Sequence, residues 1–455
     1  MASIAELHLS EAAEALGFRR AGPDAAVHGC AIDSRTVKPG ELFVALEGEQ
    51  VDGHDYVTAA RDNGAAAAIV SRIADYDLPV LIVDDVHSAL MRLATYWRAR
   101  WTTRVAAVTG SNGKTTTKEI LAAICTAAGP TLATAGNFNN NIGLPVTLLR
   151  LAQTDQFAVI EMGANHIGEI AELATIAAPH VGIITHCGPA HLEGFGSIEG
   201  VARAKGELVQ ALPQDGTAVL NADDPFFSMW RESTSAGRVI SFGLDNPADV
   251  TASYESMDDG LSLRVRALDT TFDASVALLG RHNVMNVLAA VAAATAFDIA
   301  PDVISAGLGQ VSPVSGRLKT AQTAYGATLI DDSYNANPAS LRAGLEVLAA
   351  RSGRRWAVLG DMAELGDTAA QLHASAGEEA RSLGIERLLT LGPLSAKTAA
   401  AFGEGAEHFD DVESLAAYLS ERLQASDTVL VKGSRSMAME RVVDALTPPE
   451  LRETA

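Results

Sequence analysis

The chain has 455 residues, of which 48% are hydrophobic and 20% charged, and its formal net charge is -22. Such a length exceeds one ordinary core and predicts about three domains. A surface this acidic disfavours nucleic acid and anionic membranes as partners, and any anionic substrate then needs a local basic cluster inside a cleft. Cys30, Cys125 and Cys187 lie far apart, form no CxxC pair and cannot all pair internally, so the simple reading is a reducing, cytoplasmic setting. The opening MASIAELHLSEAAEAL lacks the basic and apolar regions of a secretion signal. The longest uncharged apolar run, residues 287–297, is too short to span a bilayer.

Residues 1–102 predict a first α/β domain of short strands and helices. Within it AIDSRTVKPGELFVALEG reads as two strands around the turn Lys38-Pro39-Gly40, and a helical stretch near residues 91–100 ends the domain. Residues 103–313 predict a central domain in which apolar strands at 105–108, 157–160, 181–185 and 217–220 alternate with helices, the pattern of a doubly wound parallel sheet. Shorter alternating strands over 249–278 predict an antiparallel extension. Two helices then lead to Ser312-Pro313, a hinge signal. Residues 314–455 repeat one unit four times, an apolar strand ending at Ile330, Leu359, Leu391 or Val431 followed by a polar or Gly turn. This predicts a second small α/β sheet with its loops on one rim.

The segment VAAVTGSNGKTTTKEI places a strand, a glycine-containing turn and a helix start in that order. It predicts a phosphate cradle over Thr109, Gly110, Ser111, Asn112, Gly113, Lys114 and Thr115, a shortened GxxGKT form of the nucleotide loop. Glycines let backbone N–H groups approach phosphate oxygens, Lys114 brings a point charge, and Thr115 offers a hydroxyl to Mg2+. A soluble, Mg-dependent enzyme using ATP is thereby implied.

Lys205 lies in SIEGVARAKGELVQAL, inside the apolar stripe of Ile198, Val201, Ala202, Leu208, Val209 and Leu212. A lysine there must snorkel out, pair with an acid or lose its charge. As a neutral amine it can take up CO2 to become a carbamate, a carboxylate-like ligand for Mg2+. Glu161 follows a strand end and carries hard oxygens suited to the same ion, or else is a helix-capping or a solvated acid. His186 and His191 follow the next strand, where a structural role is the commoner fate of a histidine. Asn137, Asn139, Asn140 and Asn141 crowd the loop GNFNNNIGLP and either build turns or line a polar substrate. Arg281, Arg317, Lys319, Lys432 and Arg435 sit at turns or element ends and are candidates for the required positive cleft, or solvated surface charges.

Taken in order, TGSNGKTTTKE, GNFNNNIGLP, EMGANHIGEI, AHLEGFGSIEGVARAKGE, GRHNVMN, DDSYNANPAS and LVKGSRSMAME closely resemble the muramyl peptide (Mur) ligases of cell-wall synthesis, across all three segments. DDSYNANP is the most diagnostic, because sister ligases differ there; the DNPA at residues 245–248 resembles a sister motif but lies in the wrong domain. The resemblance implies a UDP-binding first domain, an ATP-binding ligase domain and a Rossmann-like third domain. It implies a monomer that phosphorylates the terminal carboxylate of a UDP-N-acetylmuramoyl tripeptide and then joins D-alanyl-D-alanine to it. By motif, Thr115 and Glu161 are expected to hold one Mg2+, and His191 with a carbamate on Lys205 a second. Lys114, Lys205, His191, Asn140 and Asn141 are the implied catalytic set. Asn286 is expected at the adenine, Asp332 at the ribose and Arg317 at the γ-phosphate, with Lys319, Tyr334, Asn335 and Asn337 assisting. Ser34 and Arg35 match the part that holds the uridine end, with Asn137 and Asn139 also at the substrate; Asp52, Gly53 and His54 form a family-like turn without an assigned role.

Overall fold

The computed structural model of the chain describes residues 6–48, 50–189 and 192–448. The N-terminal part carries a five-stranded sheet in the order Arg19–Ala21, Val80–Ile82, Ala67–Val70, Leu42–Val44, Cys30–Ala31. The two strands flanking the Lys38-Pro39-Gly40 turn pair parallel, Cys30 opposite Leu42, so the turn belongs to a return loop rather than a hairpin. The helix Val86–Ala99 follows, capped by Asp85, whose carboxylate accepts from the N–H groups of His87 and Ser88.

Nine strands form the central sheet, in the order Thr270–Val276, Leu261–Ala267, Val250–Ser256, Arg238–Phe242, Thr217–Asn221, Val181–Ile184, Arg104–Thr109, Phe157–Glu161, Thr131–Ala133. From Thr131–Ala133 across to Arg238–Phe242 the pairing is parallel, and the strands Phe157–Glu161 and Val181–Ile184 are buried throughout, as helices on both faces require. Ala106 and Val108 face the layer of Lys114–Ala128 and Arg281–Ala296, while Val105 and Ala107 face the layer containing Glu169–Ala177 and Ile198–Gln210. The last three strands are the expected antiparallel extension. In Leu261–Ala267 burial alternates strictly with exposure, the mark of a sheet wet on one face.

The C-terminal part holds a six-stranded sheet, ordered Lys319–Gln322, Thr328–Asp332, Thr428–Lys432, Arg355–Gly360, Arg387–Leu391, Ala406–Phe409. The four apolar strands expected there are its parallel centre; the edge strands Lys319–Gln322, antiparallel, and Ala406–Phe409 were not anticipated. Both edges are half-exposed and mixed in composition, so they give no apolar run to read. The three cysteines are free and buried. No helix among the described residues is long and apolar enough to cross a membrane.

Candidate active site

The parallel register sets Glu161 opposite Val108 and Ile184 opposite Thr109, so the loops after these three strands emerge on one rim of the central sheet. The first is the phosphate loop. Gly110 (φ 150) and Gly113 (φ 81) both have positive φ, and a Cβ at either would lie 2.0 Å from Thr185 Oγ1 or 2.2 Å from Asn286 Oδ1. Glycine is therefore required at both positions by backbone and by space. Neighbouring strand ends brace the loop. Ser111 N–H donates to His186 O at 2.7 Å, Ser111 Oγ to Gly188 O at 2.9 Å, and Thr185 Oγ1 to Asn112 O at 2.6 Å. Thr109 Oγ1 ties the strand end to Met162 O at 2.9 Å. Lys114 opens the helix Lys114–Ala128, with its Nζ donating to Gly110 O at 2.6 Å. Burial pushes this ammonium's pKa down and Arg317 adds to that, while Glu161 opposes it.

Glu161 is 2% exposed. Its Oε1 accepts from Asn139 Nδ2 at 2.7 Å, while Oε2 is buried without a hydrogen-bond partner. An orphaned carboxylate oxygen is costly, and a hard cation is the partner that resolves the cost. The donor set therefore fits a Mg2+ ion shared with Thr115 and phosphate oxygens. Protein groups alone do not form a cage, since among the described residues no three His, Cys, Asp or Glu side chains cluster. The crowded asparagines divide their work. Asn139 positions Glu161, whereas Asn140 Oδ1 accepts from the N–H groups of Ile142 (3.2 Å) and Gly143 (2.8 Å) and so starts the helix Gly143–Leu148. Asn137 is exposed, its carbonyl accepting from Asn139 N–H, and the Asn141 carbonyl contacts His87 Nε2 at 3.2 Å.

Lys205 is 2% exposed, with Nζ 5.3 Å from the Phe195 ring centroid. Burial pushes its pKa down to about 7, with nearby Lys114 adding and Cys187, Glu169 and Glu207 opposing. Of the expected stripe only Ile198 departs: at the first turn it is 39% exposed. His191 lies outside the described residues. His186 faces the buried Asp224, Nδ1 to Oδ2 3.2 Å.

The third sheet meets this rim from the opposite side. Arg317 Nη2 donates to Thr115 Oγ1 at 3.2 Å and its guanidinium stacks 4.3 Å from the Tyr334 ring. Asn337 Nδ2 donates to Asn112 Oδ1 at 2.8 Å. Asp332 and Lys432 form a buried pair at 2.6 Å, and Lys432 also donates to Asn335 O at 2.9 Å. Asn286 Nδ2 donates to Asn283 Oδ1 at 2.9 Å, placing its amide beside Gly113. A cleft of about 840 Å³ opens between the two sheets beyond His282, lined by Ser256, Arg281, Gln322, Val347 and Arg351. Ser34 and Arg35 stand apart in the turn after the strand Cys30–Ala31 of the first sheet: Ser34 O accepts from Asn63 Nδ2 at 2.9 Å, and Arg35 pairs with Asp33 at 2.6 Å. His54 is an internal brace, its ring bridging Asp52 Oδ1 (2.7 Å) and Ser71 N (2.9 Å).

A phosphate loop, a buried carboxylate with one partnerless oxygen and a buried lysine of lowered pKa, faced by an arginine from another sheet, define a nucleotide-driven group-transfer enzyme. Residues 26–101 match the family described as "Mur ligase family, catalytic domain", residues 108–294 the "Mur ligase middle domain", and residues 316–435 the "Mur ligase, glutamate ligase domain". The chain belongs to the Mur ligase family and is an ATP-dependent ligase. It is 43% identical to the UDP-N-acetylmuramoyl-tripeptide–D-alanyl-D-alanine ligase of Escherichia coli, over 96% of this chain and 98% of that protein. A crystal structure of MurF from Acinetobacter baumannii superposes with a TM-score of 0.90 at 34% identity, covering 97% and 98% of the two chains. MurF from Thermotoga maritima in complex with ADP superposes at 0.81 with 28% identity, covering 92% and 97%.

Proposed function

We propose that this ligase joins D-alanyl-D-alanine to the terminal carboxylate of UDP-N-acetylmuramoyl tripeptide in the cytoplasm, making the pentapeptide precursor of peptidoglycan. The observation that carries the chemistry is the convergence of Lys114, Thr115, Glu161 and Lys205 on one rim, with Arg317 reaching Thr115 from the third sheet. Similarity to the ligases named above carries the choice of substrates.

In this reading residues 1–102 hold the uridine end through Ser34 and Arg35, residues 103–313 hold ATP, and residues 314–455 close over it. Loop N–H groups and Lys114 hold the phosphates; Asn286 meets the adenine, Asp332 the ribose, and Tyr334 and Asn335 flank it. A carboxylate is a poor electrophile, so its oxygen first takes the γ-phosphoryl group and ADP leaves. The dipeptide amine then adds to the acyl carbon, loses a proton, and the C–O bond to phosphate breaks. Arg317 stabilises charge on the phosphoryl group as it moves. Thr115 and Glu161 would hold one Mg2+ ion and His191 with a carbamate on Lys205 a second, and ions so held would supply positive charge against the phosphates. The partnerless Oε2 of Glu161 and the lowered pKa of the Lys205 amine support these assignments.

The test is phosphate release with ATP and Mg2+, adding the UDP-muramoyl tripeptide and D-alanyl-D-alanine singly and together. Release that requires both, with the pentapeptide seen by mass, is the expected result. Acceptance of a single amino acid in place of the dipeptide, or steady hydrolysis without an acceptor, overturns it.

A further inference from the structure

Resting on the Mg2+ assignment just made, we propose that Lys118 is a positioning residue for Glu161: acting through Thr134, this buried ammonium fixes where the carboxylate stands and so sets the affinity for the ion. Lys118 lies one turn beyond Lys114 in the helix Lys114–Ala128, about 6 Å further along its axis, and is 1% exposed. Burying an ammonium is costly, and a methionine or leucine would fill the same space without that cost. The helix packs on the face of the central sheet where Phe157 and Val159 cluster with its own Ile120 and Leu121. Side chains alternate along a strand, so Glu161, two residues beyond Val159, is directed to that same face.

The hydrogen bonds show what the ammonium holds. Lys118 Nζ donates to Thr134 O at 2.8 Å, and its other partner is the carboxylate of Glu119. Thr134 is itself buried, just past the strand Thr131–Ala133, at the root of the asparagine loop. Its N–H donates to Val159 O at 3.0 Å, and its Oγ1 accepts from the Glu161 N–H at 3.0 Å. Further along the same loop, Asn139 Nδ2 donates to Glu161 Oε1 at 2.7 Å, and Asn139 O accepts from the Gly163 N–H at 2.8 Å. One loop therefore grips Glu161 by both backbone and carboxylate, leaving Oε2 as the free oxygen. Lys118 pins the root of that loop to the helix that opens with Lys114 and Thr115, and so ties together the two elements that carry Thr115 and Glu161. A ligand oriented in advance loses little freedom on binding, and such supporting bonds are typically worth about 10- to 100-fold in metal affinity.

In the experiment Mn2+, a paramagnetic substitute for Mg2+, is titrated into the full-length enzyme carrying an equivalent of ADP and read by electron paramagnetic resonance, with urea unfolding alongside. Lys118→Met and Thr134→Val are each expected to weaken Mn2+ binding by about 10-fold and to raise the Mg2+ concentration for half-maximal turnover by a similar factor. At saturating Mg2+ their kcat should stay within about threefold of native. Thr134→Ser, which keeps the hydroxyl, should recover the native Mn2+ affinity. A role in packing alone lowers the urea midpoint and leaves Mn2+ affinity where it was. Native Mn2+ affinity in either Lys118→Met or Thr134→Val overturns the inference, so the test stands even where the first variant fails to fold. Mn2+ binding that is unchanged in Glu161→Gln overturns the ion site itself.

Discussion

The central part of the molecule has two seams, and they are built from different materials. Toward the first sheet, the helix Val86–Ala99 sends Leu90, Leu93 and Trp97 into one continuous apolar cluster with Leu144, Leu148 and Leu173 of the central part. Trp97 Nε1 donates to Leu151 O at 3.0 Å, and the buried Arg98 guanidinium donates to the carbonyls of Ala177, Ala178, Trp101 and Thr103. Toward the third sheet, Leu279 is the one central residue in the apolar cluster of that domain, among the described residues. The seam there is made of polar contacts from Arg317, Asn337 and Arg351, beside the cleft of about 840 Å³. Separating an apolar seam costs about 25 cal/mol per Å² exposed, whereas a polar contact exchanged for water costs about 1 kcal/mol. The first seam is a weld and the second a latch. Under the proposed reading, in which ATP contacts come from two sheets and the first sheet holds the uridine end, that asymmetry would serve a fixed distance to the uridine and a movable wall over the phosphates.

The largest effect should come from breaking the weld. Trp97→Ala removes a buried indole and orphans the Leu151 carbonyl, so unfolding in urea should show a loss of about 3–5 kcal/mol. A loss below about 1 kcal/mol would mean that the seam is not held by burial. Arg317→Ala attacks the latch instead. Stability should change by less than about 1 kcal/mol, while kcat/KM falls by about 10²–10³-fold, the usual consequence of removing a positioned donor from a developing charge. An equal loss of stability in both variants would erase the distinction between the seams.

That distinction was only half legible in the sequence. Apolar strands such as Phe157–Glu161 and Thr428–Lys432 announce themselves by continuous burial, and the phosphate loop by its glycines. Lys205 was legible because it interrupts an apolar stripe. The edge strands were not, since a half-exposed edge needs no apolar pattern. Nor were long-range polar pairs. Nothing near Asn139 in the sequence says that it, rather than Asn140, reaches Glu161, and nothing near Asn337 points to Asn112. The Asp52–His54–Ser71 brace was hidden for the same reason, Ser71 lying on a separate loop. Residues 190–191 remain outside the described part, and His191 with them.

A smaller, pH-dependent effect belongs to the fixed side of the site. The Lys205 amine is pushed from 10.5 down to about 7 in the folded protein. Between these values the unfolded chain binds more protons at this group than the folded one, so its contribution to stability rises with pH across that window and levels off below about 7. Only the neutral amine takes up CO2. With labelled bicarbonate, a carbamate carbon signal should therefore be weak at pH 6, grow through pH 7 and be missing in Lys205→Ala. Equal spectra for the two proteins at pH 8.5 would rule the carbamate out.

The smallest effect is the sharpest probe of the latch, because one side chain does two separable jobs. Asn337 Oδ1 accepts from Ser340 N–H at 2.9 Å and caps the helix Pro338–Ala349, while its Nδ2 donates to Asn112 across the seam. Asn337→Ala loses both and should cost about 1 kcal/mol of stability together with a few-fold rise in KM for ATP. Asn337→Ser keeps a capping hydroxyl but cannot span the seam. If the second seam is a latch of individually weak bonds, the serine variant should melt like the native protein yet share the higher KM of the alanine variant. Recovery of both properties by serine would assign the residue to its helix alone, and the closing force would then fall to Arg317 and Arg351.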